Sequence, residues 1–243
     1  MSAVRPFAAV GIVLLAAACG PSHQPSRAWG LTGARAVAPP PTLPPGRGPL
    51  VAEVVRPTAI RGAPDGRVLA HIGTRDEFGS PDALAVERLG PHWLGVLSPF
   101  VGNGRIGWIP RAAVLLSRTA YQLQASLSAR ALTVRFEGRV VKRYTVGVGA
   151  SWAPTPTGRF AVTDRLRTGN PAGPYGCCIL ALSATAPHAI PGWPGGNRIA
   201  IHATPATGTI GQPDSHGCLH VTQDEARWLI LHVPIGTRIL ISD

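Results

Sequence analysis

Glycine and proline are the residues that most constrain this chain. Its 243 residues include 29 glycines and 25 prolines, about twice the usual share. Glycine adds backbone freedom and proline removes a hydrogen-bond donor, so both interrupt helices. The composition excludes coiled coils and long helical bundles and favours short strands joined by many turns. Hydrophobic residues make up 45% of the chain, which is too many for wholesale disorder and enough for a sizeable core.

Residues 1–18 are typical of a signal peptide. Arg5 precedes an apolar run from Phe7 to Ala18, which at about 12 residues is too short to span a bilayer. Three alanines then lead into Cys19. This end resembles a bacterial lipobox, in which the cysteine is lipidated, and a lipid anchor at Cys19 is favoured over an ordinary secretory signal. Both alternatives predict export to the cell envelope, on the outer face of the cytoplasmic membrane or in the periplasm or wall.

The formal net charge of +11 indicates an anionic partner. The basic residues are scattered, with no run of five or more and no nucleic-acid-binding signature. We therefore expect no nucleic-acid partner, and a basic protein that works near an anionic envelope.

The rest of the chain divides by composition into three parts. Residues 19–48 are rich in Pro, Gly, Ser and Arg, which predicts an extended tether. Residues 49–117 predict a small β-barrel-like module. Its five expected strands are Leu50–Val55, Arg67–Ile72, Ala83–Arg88, Trp93–Leu97 and Arg105–Ile109. The segment 107–110 resembles Src-homology-like cell-wall modules, and a module that only packs against its neighbour is the alternative.

Residues 119–243 predict a mainly β domain with one short helix. Leu132, Val134 and Phe136 alternate with polar residues, as in a half-buried strand. Further strands are expected at 140–148, 160–163, 177–182, 199–202 and 238–242, with a loop at 164–176. Thr222 and Glu225 form a capping box that predicts the start of the helix.

A histidine and a cysteine sixteen positions apart are the strongest chemical signal. His202 ends an expected strand, and the loop to Cys218 is long enough to fold back. His216 lies two residues before Cys218, and Gly217 between them allows close backbone approach. A thiolate paired with an imidazolium would be reactive at neutral pH. This pattern is compatible with a cysteine acyltransferase.

Two other interpretations remain open from the spacing. His202, His216, Cys218 and His220 could supply four zinc ligands, although zinc–thiolate sites usually have a C-x-x-C knuckle. Alternatively, these side chains are buried structural residues.

The same segment resembles a known family. His202 followed by Ser215-His216-Gly217-Cys218 resembles the signature of L,D-transpeptidases with the YkuD-type catalytic domain. Supporting stretches lie at 154–160, 173–176, 199–202 and 208–213. The resemblance covers residues 119–243 and implies a β-sandwich catalytic domain with one short helix.

The resemblance also implies a role for each motif residue. Cys218 would be the nucleophile and His202 the general base, oriented by the backbone carbonyl of Ala203. Ser215, His216 and Gly217 would be auxiliary or oxyanion-hole residues, together with the Cys218 amide.

Two positions depart from the family pattern. Ala203 stands where the family has Gly or Ser, and His220 stands where it has Arg or Asn. His220 would help to bind substrate, and Tyr175, in the loop over the site, would contact it.

The implied reaction is acyl transfer on peptidoglycan stem peptides, with 3→3 cross-links, release of D-alanine and no metal or organic cofactor. Alternatives are an L,D-carboxypeptidase and a non-catalytic wall-binding protein. A nucleophilic Cys218 must stay unpaired, which leaves Cys177 and Cys178. We expect these two to stay buried and reduced in a core strand, with a vicinal disulfide or a redox switch as alternatives.

Overall fold

The structure is a computed structural model that describes residues 43–187 and 197–243. The expected signal peptide, Cys19 and most of the expected tether lie outside these residues. The described part is mainly β, with a nearly closed, barrel-like sheet and one α-helix. The prediction of a mainly β fold with one short helix is confirmed. No helix within the described ranges is long and apolar enough to cross a bilayer.

The first sheet has seven strands, all from residues 50–118. They are β1 (Leu50–Val54), β2 (Thr58–Arg61), β3 (Val68–Ile72), β4 (Ala83–Leu89), β5 (Trp93–Val96), β6 (Gly107–Pro110) and β7 (Val114–Arg118). Their order is β3-β2-β6-β5-β4-β1-β7. Short 3₁₀ helices cover Pro99–Val101 and Arg111–Ala113. Ile60, Leu94 and Ile109 are fully buried inside the sheet.

The second sheet has eight strands, all from residues 121–242. They are β8 (Tyr121–Ser126), β9 (Ala131–Phe136), β10 (Arg139–Thr145), β12 (Gly158–Arg167), β13 (Cys178–Thr185), β14 (Arg198–Ala203), β16 (Leu219–Val221) and β17 (Arg238–Ser242). Their order is β10-β9-β8-β17-β12-β13-β14-β16. β11 (Val148–Gly149) and β15 (Pro213–Ser215) form a separate parallel pair, and a 3₁₀ helix covers Thr207–Thr209.

β12 continues four residues beyond its expected end at Thr163. It extends because residues beyond Thr163 continue the pairing with β13, with Arg165 opposite Leu180 and Arg167 opposite Cys178. The loop over the site therefore begins at Thr168 rather than at residue 164.

The helix α1 (Gln223–His232) starts where the sequence predicts. The Thr222 hydroxyl accepts a hydrogen bond from the Glu225 amide, and the Glu225 carboxylate accepts one from the Thr222 amide. This reciprocal pair satisfies amides that the first turn leaves unbonded. Ala226, Leu229 and Ile230 are buried and belong to the core of the second sheet. The helix thereby covers the strands that lead to the site.

Five ionisable side chains meet where the two sheets touch, and we call them the junction cluster. They are Asp76, Glu77 and Asp82 from the β3–β4 connection, Asp164 on β12 and Arg198 on β14. The Arg198 guanidinium lies 3.3 Å from the Asp164 carboxylate and 3.4 Å from that of Glu77. Asp164 is fully buried. Arg198 therefore links a buried carboxylate of the second sheet to the connection in the first.

Two more contacts join the sheets. The side-chain amide of Asn103 donates to the Thr185 carbonyl (2.7 Å), and the Thr185 amide donates back to the Asn103 side-chain oxygen (2.9 Å). Glu87 and Arg238 form an ion pair, with 3.1 Å between the carboxylate Oε1 and the guanidinium Nε. Directional polar contacts thus help to hold the sheets together, beside a buried apolar contact of Ala85 and Leu97 with Ala161.

The last residues of the expected tether contact the first sheet. The Arg118 side chain donates to the carbonyl of Gly48 (2.6 Å) and to that of Pro44 (3.1 Å). The chain just before β1 is therefore bound to the end of β7.

Candidate active site

A parallel strand pair positions the chemical groups. β14 and β16 are aligned with His202 opposite His220, and Cys218 directly precedes β16. Side chains two apart on a strand share a face, so Cys218, His202 and His220 are brought to one side of the sheet. All three line a cleft of about 270 Å³, together with Tyr175 and His216. The structure thereby brings together the residues that the sequence singled out.

His202 is held in one orientation by its own strand. The residue is 4% exposed, and its Nδ1 lies 2.8 Å from the carbonyl oxygen of Ala203. A carbonyl can only accept, so Nδ1 carries the hydrogen and Nε2 of the neutral ring has the lone pair. Burial lowers the pKa of His202 to about 4, although the bond to Ala203 opposes the shift. His202 is therefore a neutral imidazole at neutral pH. Ala203, which stands where the family has Gly or Ser, does not disturb this bond, because its acceptor is a backbone carbonyl.

Cys218 is a free, half-buried thiol. Burial raises its pKa to about 11, and a hydrogen bond with the Ala200 backbone acts in the opposite direction. Both pKa directions favour a neutral thiol beside a neutral imidazole, whereas the sequence pattern suggested a thiolate–imidazolium pair. The physical reason is that both groups are desolvated with no fixed charge to compensate. Proton removal would therefore accompany nucleophilic attack rather than precede it.

A tight turn built by Ser215 and Gly217 presents Cys218. Gly217 has φ +107°, and a Cβ there would lie 2.8 Å from the Ile199 side chain, so only glycine fits. The buried Ser215 hydroxyl accepts from the Gly217 amide at 3.1 Å and donates to the Cys218 carbonyl at 2.6 Å. Ser215 thus braces the turn. A substrate oxyanion would have to compete with Ser215 for the Gly217 amide.

His216 and Tyr175 lie at the edges of the cleft. The exposed ring of His216 meets that of Trp152 edge-on, with centroids 4.6 Å apart. The Tyr175 ring meets His202 edge-on at 5.0 Å. Tyr175 belongs to the loop between β12 and β13, so this loop directly contacts the expected general base.

His220 has a hydrogen-bond partner of its own. Its Nδ1 lies 3.1 Å from the Thr209 hydroxyl, and its ring centroid lies 4.7 Å from that of His202. Its backbone exchanges two hydrogen bonds with Gly147, at 2.9 and 3.0 Å. Burial lowers the pKa of His220, Asp214 raises it and His216 lowers it.

Cys177 and Cys178 form a vicinal disulfide just after Tyr175. Both residues are buried, as expected, but they are bonded to each other rather than reduced, so the expected redox state is corrected to the alternative. The Cys177 amide donates to the Gln223 side chain at 2.8 Å. This hydrogen bond therefore connects the end of the β12–β13 loop to the start of α1.

Three residues near the cleft were not singled out from the sequence. Thr209 contacts His220, Arg198 lines the cleft, and the 65% exposed Trp152 contacts His216. Thr209 lies inside the 208–213 stretch that supported the resemblance, which is the one signal that could have pointed to it.

Within residues 43–187 and 197–243, no group of three or more His, Cys, Asp or Glu side chains is arranged to hold a metal ion. Three of the four side chains considered as zinc ligands instead have separate neighbours. Nδ1 of His202 faces a carbonyl, Nδ1 of His220 faces a hydroxyl and His216 packs on Trp152.

Comparisons with known proteins point to one family. The YkuD family model, described as an L,D-transpeptidase catalytic domain, matches residues 120–241. The YkuD protein of Bacillus subtilis is 34% identical over 122 residues, which cover 50% of this chain and 66% of that protein. The YqjB protein of Bacillus subtilis is 29% identical over 122 residues, or 46% of this chain and 65% of that protein. The chain thus spans slightly under two thirds of the length of these relatives.

Solved structures of L,D-transpeptidases are similar at low identity. The enzyme from Mycobacterium smegmatis has a TM-score of 0.39 and 19% identity, covering 57% of this chain and 74% of that one. L,D-transpeptidase 3 from Mycobacterium tuberculosis, in complex with a faropenem-derived adduct, has a TM-score of 0.41 and 20% identity, covering 57% and 73%. The family model covers half of the present chain, from β8 to β17, and includes every residue of the cleft described above. The chain belongs to the YkuD family of L,D-transpeptidase catalytic domains.

Proposed function

We propose that this chain forms 3→3 cross-links between peptidoglycan stem peptides through a thioester on Cys218. The observation that carries the proposal is the shared cleft of Cys218 and His202, with Nδ1 of His202 bound to a backbone carbonyl and Nε2 left as a base. That arrangement meets the requirement of cysteine acyl transfer for a nucleophile and an oriented base.

The first half-reaction acylates the enzyme. Nε2 of His202 takes the thiol proton as the Cys218 sulfur attacks the carbonyl carbon of the third stem residue. The carbon–nitrogen bond to the terminal D-alanine breaks, and His202 returns the proton to the leaving amine. The Cys218 amide helps to stabilise the oxyanion.

The second half-reaction resolves the thioester. The side-chain amine of another stem peptide attacks the acyl carbon, which gives the cross-link and frees Cys218. Water in place of the amine would give the carboxypeptidase outcome. Neither half-reaction, as proposed, uses a metal or an organic cofactor.

We also assign the protein to the cell envelope, exported and lipid-anchored at Cys19. The apolar run that ends in Ala16-Ala17-Ala18-Cys19 supports this assignment, and the net charge of +11 suits an anionic wall. Membrane fractionation of expressing cells checks it, since a wholly unanchored protein would contradict the lipid anchor.

The decisive experiment combines a carbapenem with a natural donor. Intact mass spectrometry should find one carbapenem adduct on the wild type and none on Cys218→Ala, with unchanged thermal melting as the folding control. Incubation with a tetrapeptide stem should then give a cross-linked dimer. An adduct that persists in Cys218→Ala would refute the nucleophile assignment. A tripeptide without dimer would identify a carboxypeptidase, and no turnover at all would favour a wall-binding role.

A further inference from the structure

Besides His216 at its edge, the cleft of Cys218 is lined by two closely packed imidazoles. His202 and His220 are direct partners in the parallel β14–β16 register, and their rings meet edge-on with centroids 4.7 Å apart. Both line the cleft that holds Cys218. The second imidazole stands where the family resemblance leads one to expect Arg or Asn, neither of which is a base at neutral pH. His220 therefore adds a chemical capability to this particular cleft.

The Thr209 hydroxyl determines which nitrogen of His220 carries the hydrogen. That hydroxyl has one proton, and it donates it to the Ala206 carbonyl at 2.8 Å. Its oxygen can then only accept from Nδ1 of His220, 3.1 Å away. Neutral His220 is consequently protonated on Nδ1 and has its lone pair on Nε2. His202 has the same tautomer for a different reason, because its Nδ1 donates to a backbone carbonyl.

We propose that His220 is the general base for the second half-reaction and accepts the proton of the attacking amine at Nε2. This inference rests on the proposed function. His202 would serve the thiol, and His220 would serve the acyl acceptor. Each half-reaction would then have its own base, and the two bases lie on adjacent strands.

Protons and bonds balance in this step. The acceptor nitrogen attacks as a neutral amine and bonds to the acyl carbon, while the carbon–sulfur bond breaks and Cys218 leaves as a thiolate. The nitrogen gives one proton to Nε2 of His220, and that proton then passes to the sulfur. One N–H and one C–S bond are exchanged for one C–N and one S–H bond, and no further reactant is needed.

The surroundings of the two rings favour this assignment. Burial and, to a smaller extent, the neighbouring His220 lower the pKa of His202 to about 4, which disfavours a protonated His202. Burial and His216 lower the pKa of His220, but the Asp214 carboxylate raises it. His220 is thus the imidazole of the pair that has a nearby negative charge to stabilise its protonated form.

The test separates the two half-reactions. His220→Asn keeps an amide nitrogen that can donate to Thr209 but removes Nε2. Acylation is followed as D-alanine release and acyl-enzyme mass after rapid quenching, and resolution as loss of that mass on addition of an acceptor stem. We expect resolution to fall roughly 10²-fold, within the range for a lost general base, and acylation to change by less than about threefold.

A weakly basic amine provides the matched control. Methoxyamine needs little help with its proton, so it should resolve the acyl-enzymes of the wild type and of His220→Asn at similar rates. Thr209→Val, which keeps the histidine but removes the hydroxyl that sets its tautomer, should slow resolution by an intermediate factor. This second variant keeps the proposal testable if His220→Asn folds poorly.

Three outcomes would overturn the inference. Equal losses in both half-reactions would make His220 a structural support of the cleft, and no loss in either would make it a bystander. Equal slowing with methoxyamine and with the stem acceptor would exclude proton transfer as its role. Failure of the wild type to form any acyl-enzyme would instead refute the proposed function, so the two failures are distinguishable.

Discussion

The cleft and the junction cluster both bury ionisable groups, but they differ in whether an opposite charge lies beside those groups. In the cleft, His202 and Cys218 have no opposite charge, and burial drives their pKa values to about 4 and about 11, toward the neutral forms. In the junction cluster, burial raises the pKa of Asp76 to about 7 and that of Asp82 to about 6, while Arg198 lowers the latter. The neutral imidazole and thiol of the cleft can exchange a proton during a reaction. The carboxylates around the Arg198 guanidinium instead stabilise the contact between the two sheets.

Arg198 is where the two regions meet. It lines the cleft and also pairs with Asp164 and Glu77. His202 lies four positions after Arg198 on β14. We therefore expect substitutions in the cleft to alter the reaction rate with little change in stability. Substitutions in the junction cluster should mainly change the free energy of unfolding.

The largest effect is expected for His202→Asn. This variant keeps a donor for the Ala203 carbonyl but removes Nε2, so acylation should fall by roughly 10³-fold, within the range for loss of a general base. Thermal melting should stay close to that of the wild type. Stopped-flow acylation by a carbapenem measures the rate.

The pH profile of wild-type acylation tests the same base. Because the pKa of His202 is lowered to about 4, the ring stays unprotonated above that value, and the rate should decline only as the pH falls through about 4. Circular dichroism at each pH separates this decline from unfolding. An acid limb near pH 7 would contradict a buried neutral imidazole and indicate a solvated ring with an ordinary pKa.

The next largest effect is expected for Arg198→Met. Asp164 is fully buried, and removing its partner leaves an uncompensated charge, which costs about 3–5 kcal/mol in comparable buried pairs. Urea unfolding measures the change in the free energy of unfolding. Adding Asp164→Asn to this variant should recover a large part of the loss.

Arg227→Met is the matched control for the ion pair. Arg227 lies 2.7 Å from Asp224 on α1, but the Asp224 side chain is 92% exposed. Exposed pairs contribute little, so this variant should unfold like the wild type. Equal losses in Arg198→Met and Arg227→Met would mean that burial at the junction does not set the cost.

The sequence predicted an element best where all the residues that define it lie within a short stretch of the chain. The capping box at Thr222 marked the start of α1, and the closing strand Arg238–Ser242 has its predicted bounds. Two strands of the first sheet were missed. Thr58–Arg61 has only four residues and lies between the neighbouring β3 and the distant β6, and Val114–Arg118 is defined by its full antiparallel register with β1.

The site follows the same rule. His202 and Cys218 belong to a spaced motif that can be recognised along the chain. The contact of Thr209 with His220 and the position of Arg198 between Asp164 and the cleft depend on how separate strands pack. A linear pattern does not contain that information. The neutral state of the Cys–His pair is likewise a consequence of burial, which only the folded chain specifies.

The smallest effect is expected for Asp76→Asn, and it should depend on pH. The pKa of Asp76 is raised from 3.8 to about 7, mainly by burial and also by Asp164. Between about pH 4 and 7 the folded state therefore binds more protons than the unfolded state, and stability falls as the pH rises through this window. The Asn side-chain oxygen can still accept from the amides of Phe78 and Ser80, which the Asp76 carboxylate does at 2.9 and 3.0 Å.

The substitution should consequently raise the melting temperature at pH 8, where the wild-type carboxylate is charged, and have little effect at pH 4. Asp76 is partly solvated, so we expect a rise of only about 2 °C. Asp65→Asn is the control, because Asp65 lies exposed in a turn at φ 55°, which Asn tolerates, and it changes the net charge equally. Scanning calorimetry of both variants at the two pH values compares them. An equal rise in melting temperature for both variants would reflect net charge alone. It would mean that burial in the junction cluster does not disfavour the charged form of Asp76.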